Sequence, residues 1–417
     1  MRPVTIAVAG ALALACAMGI GRFAFTPLLP MMLSEGVVDL AGASWLATAN
    51  YFGYFVGALL CTLQPMIWSQ FKALPAVPAT TWLRAGLIAT CVLTVGMALN
   101  MPAMWPWLRF AAGVASAFVF IFSSGWCLAR LAERNASHLG GIMYTGPGAG
   151  IALSGVLASA VVAVQWRAAT GWLIFGALAC VLTALVWRIF GQPPVSVAPA
   201  QPTGNSTSMT NSTPVNLVPA SRWQMTWLAI AYGLDGLGYI ISATFLPVIA
   251  RQVMPGSVWL NLFWPLFGLA IVVGALLSTR VTLHSSAKGD LRYLLAACYM
   301  MQAIGVIITV WLPTPLGFAL GSLLLGLPFT AITFFAMQEV RRLKPQNAAS
   351  YMGLLTAVYG LGQIAGPPLA AWLLSRSASV AEGFNGALEI AASALVLGAV
   401  MFVGLARLYP KYVALKH

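Results

Sequence analysis

Apolar runs long enough to cross a bilayer recur along the whole chain, and polar residues gather in the short stretches between them. The runs lie at 4–33, 42–64, 83–100, 103–127, 139–163, 167–190, 223–248, 257–279, 290–311, 313–338, 346–374 and 384–407. About 18 apolar residues cover a hydrocarbon core as a helix, and a helix satisfies its backbone polar groups within its own segment. The short alternating strands of a membrane barrel are absent from the pattern. It predicts an all-α polytopic membrane protein of about 12 transmembrane helices. Residues 192–221 interrupt the pattern: they are uncharged and rich in Pro, Ser, Thr, Gln and Asn, a composition suited to a flexible connection. The expected organisation is a six-helix bundle at 1–191, a polar cytoplasmic linker at 192–221 and a second six-helix bundle at 222–417.

The stretches on either side of the linker repeat one another. Gly19-Ile-Gly21 is followed by Leu29-Pro30, and Gly236-Leu-Gly238 by Leu246-Pro247, with eleven residues from first glycine to proline in both. A shift of 212 pairs Asn135, Ala136, Gly141, Gly148 and Gly150 with Asn347, Ala348, Gly353, Gly360 and Gly362. Two ordered sets at nearly equal offsets predict pseudo-symmetric bundles related by an axis along the membrane normal, an arrangement transporters use to hold substrate near the midplane.

Composition fits that picture: 60% of residues are hydrophobic and 7% charged, far below the charge of a soluble domain. The net charge of +13 does not point to nucleic acid. With the N-terminus inside, sixteen Lys and Arg fall at the inner face and only Arg167, Arg251 and Arg376 at the outer one. That bias predicts both termini in the cytoplasm of a bacterial inner-membrane protein. The sequons at Asn205 and Asn211 then lie on the wrong side for glycosylation. The six cysteines read as small buried apolar side chains, and His138, His284 and His417 fall outside the spans. No metal or cofactor is expected. The N-terminal run continues well past Cys16, so it reads as an uncleaved helix, not a signal. Trp105 and Trp107 are placed at the outer interface.

Several motifs carry a family resemblance. They are Gly19-Ile-Gly21-Arg22-Phe23-Ala24-Phe25-Thr26-Pro27-Leu28-Leu29-Pro30, Asn50-Tyr51-Phe52-Gly53-Tyr54, Arg109-Phe-Ala-Ala-Gly113, Gly146-Pro147-Gly148-Ala149-Gly150 and Gly360-Leu-Gly362-Gln363-Ile-Ala-Gly366-Pro367-Pro368. Over essentially its whole length the chain resembles the major facilitator superfamily, and within it the YbfB/YjiJ-type group. The resemblance implies a central cavity lined by the first, fourth, seventh and tenth spans. It implies proton handling at Arg109, and, through the glycine-proline run, an antiporter. One departure stands out: Gln64 to Lys72 contains no carboxylate, so the superfamily's usual acidic, arginine-rich latch motif is missing there, and the 8–9 loop lacks its pattern too.

A charge inside a bilayer is costly and calls for an explanation; Arg22, Arg109, Asp235 and Glu389 are the four. Arg22 reads as a fixed cation for an anionic substrate or as a partner for Asp235; its bland reading is a bond to carbonyls near Gly19, Gly21 and Pro27. Asp235 reads as the proton-coupling group, since burial favours its neutral form and a nearby Arg22 or Arg109 its charged form. Its bland reading is a permanent ion pair. Arg109 is the second proton-coupling candidate, against simple snorkelling to the interface. Glu389, near its helix end, reads as a group that reaches water. Asn50, Tyr54, Tyr239 and Gln363 join Arg22 as the substrate-binding set. Gly19, Gly21, Gly146, Pro147, Gly150, Gly236, Gly238, Gly366 and Pro367 serve as packing contacts or conformational pivots. The expectation is a secondary transporter that moves a small organic solute by alternating access, proton-coupled, exporting and monomeric. A transport-inactive sensor or assembly factor of the same fold is the alternative. A membrane enzyme would need a convergent nucleophile, acid–base pair or metal, which the spans do not offer.

Overall fold

The computed structural model describes residues 1–70, 77–136, 139–191, 222–285, 290–344 and 348–410. The linker at 192–221 lies outside the described residues, as do Lys72, His138, Lys288, Asn347, Lys411, Lys416 and His417. The helices are α1 (Pro3–Leu14), α2 (Phe25–Ser34), α3 (Leu40–Gln70), α4 (Ala79–Gly96), α5 (Trp105–Ala132), α6 (Gly140–Met143), α7 (Thr145–Ala163) and α8 (Ala168–Trp187). Then come α9 (Arg222–Val253), α10 (Phe263–Ser285), α11 (Leu291–Trp311), α12 (Pro315–Gly326), α13 (Phe329–Leu343), α14 (Ala348–Arg376) and α15 (Val380–Leu408). Eleven spans among the described residues are long and apolar enough to cross a membrane. The 29 residues of α14 add a further long helix, whose Gln363, glycines and paired prolines make it less apolar. The outward surface is that of a protein solvated by lipid: Trp45, Trp107, Trp223 and Trp311 are all well exposed. Trp105 is instead buried and donates its indole N–H to the Leu99 carbonyl at 3.0 Å. Cys180 departs from the other cysteines in being exposed.

Several predicted spans are not single straight helices; the fifth, for one, divides at Tyr144 into α6 and α7. The first is α1, a π-helical segment over Ala15–Arg22, and α2. Glycine weakens a helix interior, and Pro27 can neither donate to the Phe23 carbonyl nor pack against it, so the chain widens through Gly19 and Gly21 and restarts at Phe25. The predicted 313–338 span divides into α12 and α13 at Leu327-Pro328 for the same reason. The eighth begins later than its apolar run because Gly256, at φ +78°, and a short 3-10 turn over Val258–Asn261 occupy the entry to α10.

Small residues let the helices close on one another. Against α5, Gly53 of α3 faces the Phe110 carbonyl, and Gly113 of α5 faces Asn50 O. Gly236 of α9 faces the Tyr359 carbonyl of α14, and Gly362 of α14 faces Gly233 O. Gly148 of α7 and Gly268 of α10 meet at each other's carbonyls. Such contacts leave no room for a Cβ, which is how membrane helices gain packing without a hydrophobic drive between them.

An ion-pair network ties α11, α13 and α15 at the end bearing Asp290. Arg292 donates to Asp290 (Nη2 to Oδ2, 2.6 Å) and to the Leu405 carbonyl (3.0 Å), and lies 3.6 Å from Glu339. Glu339 accepts from Arg342 Nε at 2.8 Å. Arg292 and Glu339 are fully buried. The superfamily's latch motif stays missing from the loops where it was sought; these carboxylates, Asp290 and Glu339, stand at helix ends and join helices of the second half of the chain.

Candidate functional site

Arg22 ends the π segment, and its side chain is almost fully buried at 2% exposure. None of the ion pairs among the described residues involves it. Its Nη2 donates to Gln363 Oε1 of α14 at 2.5 Å, and the Gln363 amide donates in turn to the Tyr239 hydroxyl of α9. The guanidinium carbon stands 4.1 Å from the Tyr54 ring centroid, 5.1 Å from Tyr51 and 5.4 Å from Phe23. Aromatic faces attract a cation without neutralising it. Three-residue spacing on α3 puts Tyr51 and Tyr54 on one face, so the π segment, α3, α9 and α14 all reach this point.

An aromatic wall continues from Tyr239. Tyr359 stacks on Tyr239 (5.8 Å, 21°) and on Tyr232 (5.0 Å, 25°), while Phe329 meets Tyr239 edge-on at 4.8 Å. Hydroxyls close its margins, Tyr51 on Thr244 at 2.8 Å and Tyr232 on Thr333 at 3.1 Å. No member of the Arg22, Tyr51, Tyr54, Tyr239, Gln363 and Tyr359 cluster is more than 9% exposed. The site is occluded.

Arg109 is buried at 2% exposure, so it does not snorkel. Nη1 donates to the Gly21 carbonyl at 3.2 Å and Nη2 to the Arg22 carbonyl at 3.1 Å. These are acceptors at the end of the π segment; Arg109, not Arg22, makes the bonds expected of the bland reading of Arg22. Asn50 stands apart from the substrate-binding set, with Nδ2 donating to the Arg109 carbonyl at 2.9 Å. It fixes α3 against α5, one step behind the site.

Asp235 is fully buried on α9, on the same face as Tyr232 and Tyr239. Neither carboxyl oxygen has a hydrogen-bond partner among the described residues, and no ion pair joins it to Arg22 or Arg109. The permanent ion pair is therefore absent from this arrangement. Glu389 is exposed on the outer surface of α15.

The predicted pivots lie on helix contacts. Gly19 and Gly150 face each other's backbone, Gly21 faces Thr90, and Gly146 faces Ala11 O. Gly236 faces Tyr359 O, Gly238 the Leu395 side chain and Gly366 the Ile240 side chain. Pro147 lies in the first turn of α7 and Pro367 inside α14. Pro247 removes the donor for the Ala243 carbonyl, and Thr26 of α2 supplies it at 2.8 Å.

A small cleft opens beyond this point, lined by Pro27 and Pro30, by Gly155, Ala158, Ser159 and Val162 of α7, and by Pro247, Arg251, Leu260 and Trp264. The sequence left Phe23, Phe329 and Tyr359 out of the site. Only Tyr359 carried a signal, standing directly before Gly360-Leu-Gly362.

A family model described as uncharacterised MFS-type transporter YbfB matches residues 14–403. A crystal structure of a mutant of the nucleoside transporter NupG resembles the fold with a TM-score of 0.68 at 15% identity, covering 97% of this chain and all (100%) of that one. A second NupG crystal structure gives 0.61 at 16% identity, covering 99% and 100%. No curated protein matches in sequence. At such identities the structural likeness carries the fold alone.

Proposed function

The chain belongs to the family of MFS-type transporters described by YbfB, an integral-membrane transport family and not an enzyme family, and from that premise we propose what it carries and how. It moves a small organic solute with an anionic group by alternating access, and Arg22 is the recognition point. One observation carries this reading: a buried guanidinium whose partners among the described residues are a neutral amide and aromatic faces. A buried cation without a counter-charge is unfavourable, so an anionic group arriving there gains a strong charge-assisted partner. Gln363 and Tyr239 hold the guanidinium in position, and Tyr54 supports it from below.

Asp235 is the coupling group in this proposal. It is a carboxyl with no hydrogen-bond partner among the described residues, so its charge state is free to change as the surrounding helices move. Proton coupling, with export as the direction, is supported by that carboxyl and by the Gly146-Pro147-Gly148 run at the start of α7. The charge count supports a bacterial inner membrane with both termini inside. The pivots are the seams at Gly19–Gly150 and Gly236–Tyr359, and the protein works as a monomer of two six-helix bundles.

A second reading of the cargo rests on the Tyr232–Tyr359–Tyr239 stack beside an amide. Stacked rings and an amide also suit a flat heterocycle, and the structurally similar NupG is a nucleoside transporter. Purified protein in proteoliposomes separates the two. Small carboxylates, amino acids and nucleosides are screened for uptake while internal pH is recorded. The proposal expects a carboxylate to drive a pH change, and Arg22→Gln to weaken it roughly tenfold while neutral compounds change little. Equal losses for both classes would remove charge recognition; nucleosides alone moving would favour the flat-ring reading.

A further inference from the structure

The cleft beyond Thr26 and Ala243 has a cation in it. Arg251 lines it from the last turn of α9 and makes no hydrogen bond or ion pair among the described residues. None of the lining residues is acidic. A cation near a helix C-terminus complements the helix dipole, which accounts for a charge on α9 but not for its place in a concave site. A second observation points the same way. Trp264 lines the cleft, is only 2% exposed, and its indole N–H is buried with no acceptor among the described residues. Such a donor is costly to leave unmade, and an explanation is a partner that arrives in another state.

The cleft also adjoins the central site. The Trp264 ring packs on Phe23 at 6.3 Å, and Phe23 lies 5.4 Å from the Arg22 guanidinium. Two rings therefore separate Arg251 from Arg22, neither of which has a counter-charge among the described residues. Both repeated prolines, Pro30 and Pro247, stand at the cleft wall, so the two copies of the duplicated motif converge here.

We propose that this cleft is a second oxyanion-binding site, in which Arg251 takes a carboxylate or phosphate group of the solute before or after Arg22 holds it. The Trp264–Phe23 pair is the partition between the two sites, and the Trp264 N–H becomes a donor to the solute when the partition parts. The inference rests on the proposed anion transport through Arg22, yet its test needs no transport.

Ser159 and Val162 are each replaced by cysteine in a variant whose native cysteines are serine or alanine, so that either position serves if the other fails to fold. The protein is reconstituted in neutral phospholipid and labelled from each side with a negatively charged and a positively charged methanethiosulfonate. The expected result is labelling from the side bearing Arg251, with the anionic reagent favoured roughly tenfold more than in the Arg251→Gln background; Arg251→Lys keeps the preference. Succinate or inorganic phosphate should slow labelling, and slower still with Trp264 present than with Trp264→Phe. If phosphatidylglycerol in the bilayer protects and the soluble anions do not, the oxyanion is a lipid headgroup and the solute route is overturned. Equal rates for the two reagents, or a preference that survives Arg251→Gln, would overturn the site altogether. In that event a selective Arg22→Gln defect in uptake would still leave the central reading standing.

Discussion

The two copies of the glycine–proline motif share their spacing and differ in their backbones. In the first, the helix breaks into a π segment at Gly19 and Gly21 and restarts at Phe25. In the second, α9 runs unbroken from Arg222 to Val253 through Gly236, Gly238 and Pro247. The first has two prolines, Pro27 and Pro30, close behind its glycines, whereas the second has Pro247 alone. The copies also differ in how their backbone acceptors are met. Arg109 covers the Gly21 and Arg22 carbonyls, and Thr26 covers Ala243 across to the second copy. Both donors come from the first half of the sequence. The second copy contributes Asp235, a carboxyl with no hydrogen-bond partner among the described residues. Near-identical spacing has thus yielded one broken helix whose freed carbonyls are met by a side chain of α5, and one unbroken helix that carries a carboxyl without a hydrogen-bond partner among the described residues.

The comparison can be broken most forcefully at Arg109. Arg109→Ala removes two charge-assisted bonds and strands two buried carbonyls, so it should cost about 3 kcal/mol or more; a melting curve in detergent reads this, and a near-unchanged midpoint would mean the π segment holds itself. Thr26→Val should cost about 1 kcal/mol in the native background. Its effect should shrink when Pro247→Ala restores a backbone donor to Ala243, a coupling that a double-mutant cycle measures; additive losses would show the hydroxyl bond to be incidental. Asp235→Asn should leave stability within about 1 kcal/mol, since no bond is lost, and should still abolish gradient-driven accumulation while solute exchange continues. Unchanged accumulation would take Asp235 out of the mechanism.

The smallest effect belongs to the end of the bundle, where the same asymmetry returns. Arg84 donates to the Trp187 carbonyl at 2.6 Å and lies over the Trp187 ring. Arg292 makes the matching bond to Leu405 but is also clasped by carboxylates. Burial pushes the Asp290 carboxyl up, but the hydrogen bonds from the Arg292 side chain and backbone, with Arg342 nearby, hold it below the ordinary carboxylate range. A lowered value contributes stability above the ordinary aspartate pKa and loses it as the pH falls through the lowered one, hence below about pH 4. Asp290→Asn should flatten that acid limb by well under about 1 kcal/mol, visible in melting midpoints compared across acid pH; an unaltered limb would take Asp290 out of the acid response.

Much of this architecture was legible in the sequence because hydrophobic length and charge bias are properties of the chain itself. The spans and the glycine contacts followed from residue type and spacing; residue type alone singled out Arg22, Tyr54, Tyr239 and Gln363, and it is the fold that brings them together. Facing direction was not legible. Asn50 and Arg109 look like site residues by chemistry, yet Asn50 Nδ2 and both Arg109 Nη atoms donate to backbone carbonyls, a matter of which side of α3 and α5 is packed. The break at Gly19 was equally hidden, because Gly236-Leu-Gly238 has the same local pattern and stays helical; the added Pro27 decides between them. Glu339 was hidden by a span boundary drawn one residue too early.

The meeting of Gly148 and Gly268 has a thermodynamic consequence. Each glycine presents bare backbone to the other, so α7 and α10 close without interlocking side chains, and a methyl at Gly148 would strike the Gly268 carbonyl and Ile271. Opening such a seam gives up contact but unlocks no knob from a hole, which keeps the open and closed forms close in energy. Each added carbon there acts as a shim, and every 1.4 kcal/mol or so that it favours one form multiplies that population about tenfold. The residue that permits the tightest closure is therefore also the one at which the balance of states is most easily reset.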